Sequence, residues 1–223
     1  MNKTTLSVAA AVAVIVPVSA MAEASSNIGW VSEYIFRGVF QEDSSAYGGL
    51  DYSTDAGFYI GTWGADVGTG LETDLYFGFA GGDDLTWKVG YTGYFYTDDF
   101  DDTYQEVNLG IGIGIFAVDA AVGQWDGFGN SQDYVFASAT LSPEKGPYYK
   151  LGSWSGDYAD LLFGGSAEYV EVGHVFSLEE FGVDISIAAT WSDDLVVGDW
   201  DDGETTGDYA LVFGIKKTFA VGE

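Results

Sequence analysis

The chain has 223 residues, with 35 Asp and Glu against 7 Lys and Arg and a formal net charge of −28, yet 47% of it is hydrophobic and 17% aromatic. That aromatic content excludes an acidic disordered chain, and so few cations, dispersed along the sequence, exclude a nucleic-acid partner, which needs a basic footprint. The 32 Gly weigh against a helical bundle, since Gly costs roughly 1 kcal/mol in a helix interior, and the absence of Cys removes disulfides and Cys-based zinc sites.

Residues 1–22 read as a secretory signal: Lys3, an apolar stretch over 6–18 and the small-residue site Ala20-Met21-Ala22 predict cleavage after Ala22. The apolar stretch is shorter than the ~20 residues a spanning helix needs. Residues 23–223 contain no linker or shift in composition and are expected to form one domain.

From Ile28 the pattern has a period of two. Ile28, Trp30, Ser32, Tyr34, Phe36 and Phe40 are expected on one greasy face of a first strand, with Glu33, Arg37 and Gln41 on the other. Weaker strands follow near 46–54 and 57–66, joined by the turn Thr54-Asp55-Ala56-Gly57. In 71–79, Leu71, Thr73, Leu75, Phe77 and Phe79 oppose Glu72, Asp74 and Tyr76, and after Gly82-Asp83-Asp84 the segment 85–95 sets Leu85, Trp87, Val89, Tyr91 and Phe95 against Lys88 and Tyr94. An acidic connection follows, with Asp98, Asp99, Asp101 and Asp102. In 104–115, Val107, Leu109, Ile111, Ile113 and Ile115 make an aliphatic stripe opposite Glu106, Asn108, Gly110, Gly112 and Gly114. Further strands are expected at 117–125, 133–141, 148–155, 166–176 and 183–191. Past a second acidic stretch over 192–208, Leu211, Phe213, Ile215 and Phe219 form the last greasy face, interrupted by Lys217.

The count is about twelve strands, with a range of about ten to fourteen, at ~9–11 residues per membrane-crossing strand. Alternation alone fits a soluble β-sandwich as well as a barrel. The second face decides: it carries Gly and Tyr where a sandwich carries mixed solvated residues, as expected for a curved barrel wall. Trp30, Phe40, Tyr47, Trp63, Tyr94, Tyr96, Trp125, Tyr148, Tyr149 and Trp154 are expected as girdle residues at the lipid boundaries. The fold class is therefore all-β, an antiparallel up-and-down transmembrane β-barrel preceded by a cleavable signal peptide, and barrel closure removes the open edges.

Tyr34-Ile35-Phe36-Arg37-Gly38 with Gln41, Gly49-Leu50-Asp51-Tyr52, Gly57-Phe58-Tyr59-Ile60-Gly61-Thr62-Trp63, Glu72-Thr73-Asp74-Leu75-Tyr76 and the closing Asp208-Tyr209-Ala210-Leu211-Val212 through Lys217-Thr218-Phe219 resemble, in order, the TorF family of outer-membrane porins, also known as the Gcw_chp domain family. The resemblance covers nearly all of the chain after the signal. The Tyr-x-Phe-Arg-Gly-x-x-Gln stretch is its most specific piece, and the four residues after Phe219 depart from the aromatic ending common in such chains. It implies a small outer-membrane barrel with a channel role and brings no catalytic residues.

Glu33 and Arg37, four residues apart on one strand face, would lie about 13–14 Å apart and need partners on other strands. Glu33, Arg37, Gln41, Asp51, Asp74, Lys88 and Glu106 are the candidate pore-lining residues, either as a transverse field that orients solutes or as a lumen-filling salt-bridge network. Asp199, Asp201, Asp202 and Glu204 are weak surface candidates for Ca²⁺, without the spacing of an EF-hand, and a solvated charge run is the simpler account. No catalytic residues are expected: His174 is the single histidine, Ser177 and Glu179 are too local to it to form a triad, and no nucleophile elbow is present. No cofactor is expected.

The sequence thus predicts a Gram-negative outer-membrane channel for passive diffusion of small polar solutes, with cation preference from its net charge. The alternatives are a plugged structural or adhesive barrel and a secreted soluble sandwich. Expected partners are outer-membrane lipid and lipopolysaccharide, the barrel-assembly machinery and small polar solutes.

Overall fold

The computed structural model describes residues 23–192 and 208–221. The signal segment, its cleavage after Ala22 and the candidates Asp199, Asp201, Asp202 and Glu204 lie outside the described residues. Twelve strands run in order: β1 (Glu23–Phe36), β2 (Val39–Ser53), β3 (Phe58–Asp66), β4 (Leu71–Gly81), β5 (Leu85–Tyr96) and β6 (Tyr104–Ile113). They continue as β7 (Phe116–Trp125), β8 (Gln132–Leu141), β9 (Tyr148–Ser155), β10 (Ala167–Leu178), β11 (Val183–Ser192) and β12 (Asp208–Val221). A short helix, α1 (Asp157–Phe163), interrupts the connection from β9 to β10. Each strand pairs antiparallel with its sequence neighbours, and β1 pairs with β12, so the sheet closes into a barrel. Closure excludes the two-sheet sandwich.

The period of two creates two environments. Leu71, Leu75, Phe77 and Phe79 on β4, Leu85, Trp87 and Val89 on β5, and Leu109, Ile111 and Ile113 on β6 all point outward and are exposed, Ile111 by 58%. A full belt of exposed large apolar side chains suits hydrocarbon, not water. Lys217, which breaks the greasy face of β12, donates its ammonium to Phe181 O at 3.0 Å and lies over the Phe219 ring. Its charge thereby sits at the rim where β1 begins and β12 ends.

Facing inward, tyrosines lie across glycines of the next strand. Tyr47 covers Gly29, Tyr76 covers Gly61, Tyr134 covers Gly123 and Tyr169 covers Gly152, and a Cβ at any of these glycines would collide with the ring. Glycine is required there for close approach, and the ring fills the space it leaves. This overturns the girdle expectation for most of its members. Trp30 and Tyr149 do face outward, exposed by 39% and 44%. Tyr94, Tyr148 and Trp154 are buried inside, and Tyr47, Trp63, Tyr96 and Trp125 also take the inward parity. Their hydroxyl and indole groups find polar partners in the lumen that lipid does not provide.

The first strand also differs from expectation. The segment 28–41 is two strands joined by a tight turn, with Arg37 and Gly38 at φ 53° and 87°. Positive φ at both positions is the signature of a two-residue hairpin connection, and alternation passes through so short a turn without showing it. β1 pairs with β12 up to Val31, and β2 pairs with β3 from Tyr47 onward. Between these limits the two strands continue to pair with each other, with a register irregularity at Tyr34/Ile35, to Phe36 opposite Val39. The hairpin therefore leaves the wall and turns into the barrel. Tyr34 and Phe36 belong to the interior, not to the greasy outer face.

Gly123→Val is expected to push Tyr134 off the wall and to destabilise the barrel by about 1–3 kcal/mol. The check is a lower temperature for the heat-dependent gel-mobility shift, with Gly165→Val, where an added side chain meets nothing within 4 Å, for comparison.

Candidate functional site in the barrel lumen

The tip of the hairpin closes on one carboxylate. Glu106, on β6 and 1% exposed, takes a bidentate pair from Arg37, with Nη1 to Oε2 at 2.8 Å and Nη2 to Oε1 at 2.6 Å. The same carboxylate accepts the Tyr94 hydroxyl at 2.8 Å, the Tyr134 hydroxyl at 2.9 Å and the Asn108 amide at 2.6 Å. Its lone pairs are thereby used, which is what keeps a carboxylate ionised away from water. The Arg37 guanidinium lies against the rings of Phe36, Phe136 and Trp154, at 4.6, 4.6 and 5.6 Å from their centroids. Trp154 also donates its indole N–H to Arg37 O at 2.9 Å. Contacts from β5, β6, β8 and β9 thus hold a turn that leaves the wall between β1 and β2 on the far side.

Two more anchors hold the hairpin arms. Tyr34 donates to Glu72 Oε1 of β4 at 2.7 Å and meets Trp63 edge-on, while Ser45 donates to Asp66 O at 2.7 Å. From the opposite side α1 brings Tyr158 against Tyr104, Trp125, Tyr134 and Trp154. Val39 joins Phe163, Ala167 and Tyr169 in the same buried cluster. In the connection from β5 to β6, Asp101 accepts the Tyr104 hydroxyl and the Trp125 indole N–H at 2.7 and 2.9 Å. Burial pushes its carboxyl above the usual carboxylate range.

Beyond the hairpin tip the wall carries charge. Lys88 of β5 pairs with Asp119 of β7 at 2.7 Å, and Lys150 of β9 lies beside Glu171 of β10, its cross-strand partner. Glu171 accepts the Tyr148 hydroxyl at 2.6 Å, and Asp51 accepts that of Tyr76 at 2.6 Å. Asp74 is buried, and its Oδ1 has no hydrogen-bond partner among the described residues.

Of the residues singled out from sequence, Asp51, Asp74, Lys88 and Glu106 take the inward parity of the wall. Arg37 reaches Glu106 from the hairpin turn, not from the face of a continuous strand. Glu33 lies on a hairpin arm opposite Asp43, and Gln41 donates to Val39 O at 3.3 Å. Lys150, Asp119, Glu171 and Glu72 complete the set and were not singled out, although the inward parity of Tyr148 and Gly152 marks Lys150. Asp98 and Asp99 are exposed, and Asp102 accepts backbone N–H groups of Thr103 and Phe128. Among the described residues no group of acidic or histidine side chains is arranged to hold a metal ion. His174 places Nδ1 2.7 Å from Gly146 O and meets Phe176 edge-on, and the Ser177 hydroxyl donates to Asp184 at 2.6 Å.

A closed antiparallel barrel with an apolar outer belt, a charged lumen and an inward hairpin defines a membrane-spanning β-barrel. The chain belongs to the Gcw_chp family, described as bacterial proteins of unknown function, whose sequence profile matches residues 17–219. No curated protein matches it in sequence. Its fold is similar to that of the NanC porin, with TM-score 0.61 at 8% identity over 85% of this chain and 98% of that one. The KdgM porin is likewise similar, with TM-score 0.56 at 6% identity over 87% of this chain and 99% of that one.

Arg37→Ala leaves Glu106 buried without its counter-charge and is expected to cost about 3–5 kcal/mol. Adding Glu106→Gln should restore part of that loss. A double-mutant cycle on the unfolding of the detergent-folded barrel measures the coupling.

Proposed function

We propose that the chain is exported by a signal cleaved after Ala22, inserted into the outer membrane by the barrel-assembly machinery, and acts there as a narrow channel for passive diffusion of small polar solutes. This is the role that resemblance to TorF porins implies. The observation that carries the reading is the charged lumen: Lys88, Asp119, Lys150, Glu171, Asp51 and Asp74 face inward from a wall whose outer side is apolar. A barrel filled only for packing gains nothing from so many interior charges, whereas charged side chains on the inner wall suit a lumen that passes polar solutes. In this reading the hairpin tip and α1 form the constriction and Glu33, Arg37 and Gln41 belong to its lining. Lipopolysaccharide and lipid surround the apolar belt.

The carboxylate excess of the chain draws cations toward the mouths, which supports cation preference, while the lumen beside the hairpin tip holds Arg37, Lys88 and Lys150. The selectivity of the narrowest segment decides between them. The aromatic cluster of Tyr134, Phe136, Trp154, Tyr158 and Tyr169 favours a second reading, a plugged structural barrel.

In planar bilayers the refolded protein should give small discrete conductance steps, and Arg37→Ala, by loosening the hairpin, should give larger ones. The reversal potential under a KCl gradient reads the selectivity. Silence from folded, inserted wild type and variant alike would establish the plugged barrel instead.

A further inference from the structure

Three of the cations of this strongly acidic chain meet at one place. Arg37, Lys88 and Lys150 line a single cavity of about 60 Å³ in the lumen, together with Asp119, Asn108 and Ser138. Lys88 and Lys150 are only 7% and 5% exposed. Arg37 is engaged with Glu106, whose oxygens are also taken by Tyr94, Tyr134 and Asn108, and Lys88 has Asp119 at 2.7 Å. Lys150 is different. Among the described residues it makes no ion pair and no hydrogen bond, and its ammonium has only the face of Tyr169 at 6.0 Å. Glu171, the nearest acidic neighbour along the sheet, lies too far from that ammonium for an ion pair and accepts the Tyr148 hydroxyl instead.

A buried ammonium without a counter-ion is costly, and an anion that enters the cavity offsets that cost. The Ser138 hydroxyl, also without a hydrogen-bond partner among the described residues, is a further donor on the cavity wall. The space is larger than a single water needs, and leaves room for a carboxylate or a tetrahedral oxyanion. The cationic lining outnumbers the single carboxylate, Asp119, that shares the cavity.

We propose that this cavity binds a small oxyanion, the carboxylate or phosphate group of a solute in the lumen, with Lys150 as its principal charge and Lys88, Arg37 and Ser138 around it. The inference deepens the channel reading by naming the solute class. It rests on that reading only for the step from binding to passage.

The test starts without currents. The detergent-folded protein is titrated calorimetrically with inorganic phosphate and, separately, with acetate, at constant ionic strength in chloride. Saturable binding of either is expected, and the better of the two identifies the oxyanion type. Lys150→Met should weaken it about tenfold or more, equivalent to about 1.4 kcal/mol, and Lys150→Arg should retain it. No saturable binding in the folded wild type, or equal binding by Lys150→Met, would overturn the proposal. A readout on the wild type alone guards against a variant that does not fold: phosphate should slow acylation of Lys150 and leave exposed Lys145 unaffected, and equal Lys150 rates with and without phosphate would overturn it. In bilayers, binding without conductance would retain the anion site and remove the channel, whereas conductance without binding would do the reverse.

Discussion

The buried carboxylate of Glu106 is the constraint on which the interior of this barrel depends. An ionised group in a wall that faces hydrocarbon on its other side must have its lone pairs satisfied from within. Tyr94 of β5, Tyr134 of β8 and Asn108 of the same strand as Glu106 provide part of that satisfaction, and the rest comes from Arg37 at the tip of a hairpin that starts on the far side of the barrel. Removing either charge strands the other. The hairpin is therefore fixed by an ion pair at its tip, by Trp154 on the Arg37 carbonyl, and by Tyr34 and Ser45 along its arms.

That inward fold changes what the wall has to do. Outside, branched and aromatic side chains meet lipid, where size and apolarity are enough. Inside, the wall must be thin at some points so that a hairpin, a short helix and a set of rings fit within twelve strands. The Gly and Tyr pairs supply this: the glycine lets the ring lie flat, and the ring brings a hydroxyl to a buried acid. Tyr134 does both, covering Gly123 and donating to Glu106. Packing and polar satisfaction are thus the same interaction seen from two sides.

Charge is distributed unevenly in the same manner. The acidic excess of the chain is a property of its whole length, whereas its few cations are concentrated where three of them share one cavity beside the hairpin tip. Net charge governs how ions accumulate near the mouths, and local charge governs which of them finds a counter-charge inside. For Lys150 the second consideration dominates, because no carboxylate of the described residues lies within ion-pair distance of it.

The barrel itself was legible in the sequence, because lipid on one side and lumen on the other impose a period of two on every wall strand, and stripes such as 107–113 carry it without interruption. Parity likewise placed Asp51, Asp74, Lys88 and Glu106 on one side of the wall. What period alone could not reveal was the turn at Arg37 and Gly38, since a two-residue connection leaves alternation unbroken. Nor could it place the rings of Tyr94 and Trp154, because an aromatic at a strand end suits a lipid boundary or a lumen equally well until its polar atom has a partner. The meeting of Arg37 with Glu106, and of Arg37 with Lys88 and Lys150 around one cavity, was decided by closure of the sheet and the inward bend of one hairpin. Contacts across a lumen join residues far apart in the chain, and strand periodicity carries no information about them.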